Sequence, residues 1–171
     1  MRLTASQGEA RETKRAMTLP DDIYSQRILE LAANIPRVSR LPVPHATATA
    51  RSKLCGSTVS IDLAMDGGVV TDYGQNVKAC LLGQSSAAVM GREIVGSTAS
   101  ELRAVGAAMR KMLKEGGPAP EGRWADLAVL EPVRDYKARH ASTLLVFDAV
   151  EEAIAQIEAK TRHASPSQEH V

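Results

Sequence analysis

Aromatic side chains are scarce in this sequence: 3% of 171 residues, with one tryptophan and one phenylalanine. A core with so few rings has to be aliphatic, and the chain offers no stacking platform for nucleotide bases. Cysteine is equally sparse, since only Cys55 and Cys80 are present. Two thiols cannot staple a secreted scaffold, and in a reducing compartment they stay free. Neither sign of charge dominates, with 21 Lys and Arg against 20 Asp and Glu for a formal net charge of +1. That balance predicts no nucleic acid partner and no membrane surface. No apolar run approaches the roughly 20 residues needed to cross a bilayer, and no charged-then-apolar start reads as a secretory signal. A cytoplasmic protein is expected.

What is there suffices for one domain, because 44% hydrophobic content over this length can fill a single core. Residues 1–18 are polar and aperiodic and are expected to be disordered; the domain is expected over 19–159 and a disordered tail over 160–171. Behind Pro20-Asp21-Asp22, the residues Tyr24, Ile28, Leu31, Ala32 and Ile35 recur at helical spacing and predict a first helix ending before Pro36. Ala46 to Ala50 alternates as an edge strand does. Val59, Ile61, Leu63 and Met65 alternate with polar or small residues, Asp66-Gly67-Gly68 turns the chain, and Val69 to Val77 runs back, which predicts a hairpin. Helices follow at about 83–95, from a capping box at Thr98 to Gly116, briefly at 125–130, and from Ser142 to Ala159. This order predicts an α+β fold, a small antiparallel sheet with helices packed on one face.

The hairpin carries the chemistry. Leu54-Cys55-Gly56 leads into it and Ala79-Cys80-Leu81 leads out, and if the hairpin strands carry both cysteines to one end of a sheet the thiols can share a metal ion or cluster. Thiolate and imidazole suit zinc, iron and iron-sulfur centres, and outside the tails the donors of those types are Cys55, Cys80, His45 and His140. Their spacing is no compact metal motif, since 25 residues separate the cysteines, and a free cysteine is also an ordinary core residue. Both readings stand on spacing alone. Position favours ligands, because Cys55, Cys80 and His140 each sit just before a regular element, where side chains project. No activated nucleophile or carboxylate pair points to a hydrolase. Lys137 and Arg139 read either as a solvated loop or as an attractor for an acidic partner.

Several stretches together resemble a known family. Ile23 to Arg37, Ala46 to Arg51, Leu54-Cys55-Gly56, Cys80 with Ser85-Ser86-Ala87-Ala88-Val89-Met90, Gly96, and Val133 to Arg139 are similar, in that order, to the NifU-like (IscU and SufU type) iron-sulfur cluster assembly scaffolds. The long 113–132 connection is closer to the SufU branch. The resemblance implies an α+β domain of the SufE/NifU-like scaffold kind that binds zinc or iron through three cysteines and an aspartate. It implies a transient iron-sulfur cluster, a cysteine desulfurase as partner, and recipient apo iron-sulfur proteins. In a sulfur-transfer version Cys55 or Cys80 would be the persulfide acceptor. Two positions depart from the pattern: Ser57 stands at the aspartate position, and the third cysteine aligns with Ser142. Either His140, two residues earlier, takes over as third ligand beside Cys55 and Cys80, or that ligand is lost. The rival expectation is a degenerate member that binds a protein partner without metal.

Overall fold

The computed structural model describes residues 25–164; the segment 1–18 and the Pro20-Asp21-Asp22 helix opening lie outside the described residues. Ser25 caps helix α1 (Gln26–Ala33) by accepting from Ile28 N at 3.3 Å, and α1 buries Ile28, Leu31 and Ala32. Three strands follow, β1 (Ala46–Arg51), β2 (Thr58–Asp66) and β3 (Val69–Lys78), in one antiparallel sheet of order β1-β2-β3. Gly67 and Gly68 make the β2–β3 turn at φ 57° and 80°, a conformation that favours glycine. Helices α2 (Leu81–Glu93) and α3 (Ala99–Glu115) come next, then a run of 3-10 turns over Gly122–Asp135 and Lys137–Arg139, then α4 (His140–Ala164).

Strand register explains why the helices gather on one side. Ala46, Ala48 and Ala50 of β1 lie opposite Leu63, Ile61 and Val59 of β2, which in turn face Tyr73, Gln75 and Val77 of β3. The alanine row keeps β1 low on that face, and α4 lies against β1 and β2 with Phe147, Val150 and Ile154 buried. Helix α2 wedges between α1 and α4, so Leu82, Val89 and Met90 complete an aliphatic core. The expected α+β architecture with helices on one sheet face is therefore the one observed. Among the described residues no helix is long and apolar enough to cross a membrane.

The opposite sheet face is not left to solvent. The segment 36–41 crosses it so closely that a Cβ on Gly74 would stand 2.1 Å from Ser39 O. Asp62 fastens this strap: its carboxylate accepts from Arg40 Nε at 2.6 Å, Arg40 Nη2 at 2.9 Å, Leu41 N at 3.0 Å and Thr47 Oγ1 at 2.6 Å. Alternation along β2 predicted Asp62 on the solvent face, whereas the strap buries it to 1% exposure.

Helix boundaries differ in ways packing explains. Thr98 caps α3 as its capping-box pattern predicts, accepting from Glu101 N at 3.1 Å. The short helix expected at 125–130 is instead the longer 3-10 run, held by Trp124, which is buried and donates Nε1 to Glu101 Oε1 at 3.1 Å. Helix α4 continues through 160–164, where a disordered tail was expected to begin. Lys160 Nζ donates to His45 O at 2.6 Å and Thr161 Oγ1 to Ile157 O at 3.0 Å, and those contacts carry the helix past Ala159.

Candidate functional site

Pairing places the ends of all three strands together. Thr58 opens β2 opposite both Arg51, the last residue of β1, and Lys78, the last of β3. Cys55 precedes Thr58 by three residues and Cys80 follows Lys78 by two, so both cysteines leave the sheet at the same end.

The loop that carries Cys55 is a closed turn. Ser52 N donates to Ser57 O at 2.8 Å and Gly56 N to Ser52 O at 2.9 Å, with Gly56 at φ 72°. Cys55 is exposed at its tip while Ser52 and Ser57 are buried beneath it. The Cys55 thiol donates to Ser52 Oγ at 3.4 Å and lies 3.0 Å from Ser57 Oγ. When the proton leaves, both hydroxyls can turn and donate to sulfur. Ser52 and then Ser57 lower the Cys55 pKa to about 7, slight burial opposes them, and the Arg139 charge adds a smaller push in the same direction.

Cys80 occupies the N-cap of α2 and is half-buried. Its thiol donates to Ser142 Oγ at 3.5 Å, and that hydroxyl donates to Arg139 O at 3.1 Å. Helices α2 and α4 can meet there because Gly83 has no side chain: a Cβ would stand 2.9 Å from Ser142 O. Arg139 thus bears on both halves of the corner, accepting through its backbone oxygen from Ser142 beside Cys80 and favouring the Cys55 thiolate by its charge.

His140 is not part of this corner. It is buried, and its Nε2 lies 3.1 Å from both Val133 O and Arg134 O in the 3-10 run. Residues two apart on a helix point about 200° away from each other, so a helix that turns Ser142 toward Cys80 turns His140 elsewhere. His45 is also committed, its Nδ1 accepting from Met65 N at 3.0 Å. Among the described residues, no three His, Cys, Asp or Glu side chains gather into a group that could hold a metal ion.

The soft donors at this end of the sheet are thus Cys55, bordered by the hydroxyls of Ser52 and Ser57, and Cys80, bordered by that of Ser142. Two sulfurs suit a thiophilic ion such as zinc or iron but fill only half of a four-thiolate shell, leaving the other positions open. Ser142, where the resemblance puts the family's third cysteine, is the residue whose hydroxyl meets the Cys80 thiol. Ser52 went unnoticed in the sequence, although serine three residues before a cysteine in a Gly-containing turn is the signal that would have found it.

No family model matches the chain. Among curated proteins it is 24% identical over 135 residues to the iron-sulfur cluster assembly scaffold protein IscU of Thermotoga maritima, covering 79% of this chain and 94% of that one. Among solved structures it is similar to a nitrogen-fixing NifU-like protein (N-terminal) from Brucella abortus, with 63% identity, a TM-score of 0.81, and coverage of 82% of this chain and 97% of that one. The fold also matches a putative SUF-system scaffold, SufU, from Fervidobacterium islandicum at a TM-score of 0.71 and 23% identity, over 77% of this chain and 96% of that one. A 63% identical relative covered almost end to end, whose fold this chain shares, leaves one conclusion: the chain belongs to the NifU-like, IscU-type family of iron-sulfur cluster assembly scaffold proteins.

Proposed function

We propose that this chain collects a nascent iron-sulfur cluster, or the iron or zinc that precedes it, on Cys55 and Cys80, and works in the cytoplasm with a cysteine desulfurase and recipient apo proteins. The observation that carries the reading is the corner itself. Three separate segments, the Ser52–Ser57 turn, the start of α2 and the start of α4, bring two free thiols to one end of the sheet, one of them exposed. The two sulfurs have different work in this reading. Cys55, exposed and half ionised near neutral pH, suits attack on an incoming persulfide: its lone pair forms a bond to the outer sulfur, the old S–S bond breaks, and the desulfurase departs as a thiolate. Cys80, half-buried against Ser142, suits holding. Two thiolates with open positions bind less firmly than four, as cargo that must be passed on requires.

Protein purified anaerobically without chelator tests the proposal. The expected result is about one zinc or iron per chain that is lost in Cys80→Ser, and a cluster acquired on incubation with ferrous iron, cysteine, a desulfurase and a thiol reductant. Ser142→Cys is expected to raise retention by adding a third sulfur, while His140→Ala leaves it unchanged. Folded protein that stays free of metal and gains no cluster sinks the reading. The serines at positions 57 and 142 favour a second one, a metal-free interaction module; under it, Cys55→Ser and Cys80→Ser both leave partner binding intact.

A further inference from the structure

The corner is short of sulfur and rich in uncompensated positive charge. The segments that build it, 51–58, 78–85 and 136–143, contain Arg51, Lys53, Lys78, Lys137 and Arg139 and no Asp or Glu. Lys137 lines a separate cleft with Arg110, His140 and Asp148, which leaves Arg51, Lys53, Lys78 and Arg139 as the collar; in a chain whose formal net charge is +1, these four with no acid in their segments are a marked local excess. Among the described residues none of the five is in an ion pair, whereas most arginines elsewhere are paired, among them Arg27 with Asp126, Arg40 with Asp62, Arg103 with Glu158 and Arg123 with Glu101. Arg139 stands at the start of α4, its backbone oxygen accepting from the Ser142 hydroxyl that meets Cys80. The opening is also bare, since Leu54 beside Cys55 is 78% exposed.

We propose that the donors missing from this corner are supplied from solution by a small thiol that carries carboxylates, its sulfur completing the shell of the cluster and its carboxylates seated among Arg51, Lys53, Lys78 and Arg139. The inference rests on the cluster-binding reading above and extends it to a second ligand. Three observations select the class. The missing donors must be soft, because the two in place are thiols and the hydroxyls beside them are poor ligands. They must arrive on an anion, because the collar has no acid of its own to neutralise it. A second copy of this chain would bring two more cysteines but would also set its own collar of four cations against the first, which disfavours that source. On binding, each small thiol gives its proton to solvent and its sulfur lone pair to iron, a bound water leaves, and no atom changes oxidation state.

Reduced glutathione is the probe. The full chain is loaded anaerobically with ferric iron and sulfide in three parallel samples, with glutathione, with the uncharged thiol 2-mercaptoethanol, or with no added thiol. Each is desalted, and iron, sulfide and bound glutathione per chain are measured beside the native mass. The expected product is a single chain carrying one cluster and two glutathiones, and its cluster persists several-fold longer than in the 2-mercaptoethanol sample. Reversing two collar charges, Lys53→Glu with Arg139→Glu, is expected to weaken glutathione retention about tenfold, the scale of a few screened charge contacts, while Arg103→Glu outside the collar changes nothing. Equal retention in all three samples, or a two-chain species with one cluster and no bound glutathione, overturns the inference and leaves the scaffold reading standing. Failure to acquire a cluster under every condition overturns both.

Discussion

At the scale of single residues, Cys55 is set apart from Cys80 by what surrounds it. Two hydroxyls and a nearby guanidinium favour its thiolate, so its pKa falls to about 7. A depressed thiol pKa means the reactive form is already half populated at neutral pH and grows as pH rises through that value. Iodoacetamide labelling of the metal-free protein followed by peptide mass spectrometry is expected to give a Cys55 profile with its midpoint near pH 7. Ser57→Ala should move that midpoint upward and slow labelling at pH 7 by up to about tenfold, since an ordinary thiol is only a few per cent ionised there. A Cys55 profile centred with that of an ordinary exposed thiol would remove the hydroxyl effect. The two cysteines were visible in the sequence as the only ones present, and Ser142 was visible by alignment. Imidazole chemistry suits His140 to the third-ligand role that the resemblance leaves open, but helical geometry opposes it: two residues along α4 is the other side of the helix, and two backbone carbonyls hold the ring there.

At the scale of elements, the hairpin and the caps could be read because period, Gly-Gly turn and capping box agree with one another, and they landed where the structure has them. The strap over the outer sheet face could not, because a carboxylate in a half-buried strand reads as solvent-facing until a distant segment is known to cover it. Asp62 has its pKa lowered, chiefly by Arg40, with burial opposing and Thr47 and Leu41 N assisting. A carboxyl with a lowered folded-state pKa stabilises fully above its unfolded value, near 4, and that contribution is lost as pH falls through the folded one. Urea melts from pH 6 down to 2.5 are therefore expected to show stability falling below about pH 4, and Asp62→Asn should flatten that part of the curve while costing roughly 2–4 kcal/mol at pH 6. An acid limb unchanged in Asp62→Asn would show that the loss comes from other carboxylates. Helix contact gives a second prediction. Gly83→Ala puts a Cβ 2.8 Å from Ala79 Cβ and 2.9 Å from Ser142 O, so α2 must shift away from α4. Overpacking there should cost about 1–3 kcal/mol and, by parting Cys80 from Ser142, reduce metal or cluster retention more than a comparably destabilising change at the distant Gly74. Equal retention in the two variants would mean the α2–α4 contact serves stability alone.

At the scale of the whole molecule, the corner is where three otherwise separate parts of the chain end. The Ser52–Ser57 turn is held by its own backbone bonds, Cys80 by the cap of α2, and Arg139 to Ser142 by the first turn of α4. The links among them within the protein are few, chiefly the 3.5 Å Cys80–Ser142 contact and the charge of Arg139 acting on Cys55. The hairpin end is built differently: Val70 N donates to Ser97 O, Gly96 N to Val70 O and Ala99 N to Gly68 O, so the turn is tied into the start of α3 by backbone alone. A ligand bridging Cys55 and Cys80 would consequently join segments that the apo protein joins weakly, and stabilise the folded chain in proportion to the logarithm of its occupancy. Amide hydrogen exchange on protein with and without zinc is expected to slow over 52–57, 79–84 and 139–143 and to stay unchanged over 66–70. The apparent melting temperature should rise with zinc concentration, and Cys80→Ser should abolish both effects. Slowing confined to 52–57 would mean that Cys55 binds without Cys80 and that the two thiols do not share one ion. Uniform slowing across the sheet would mean the apo corner is already coupled to the rest of the fold, and that the cargo stabilises the domain without organising its edge.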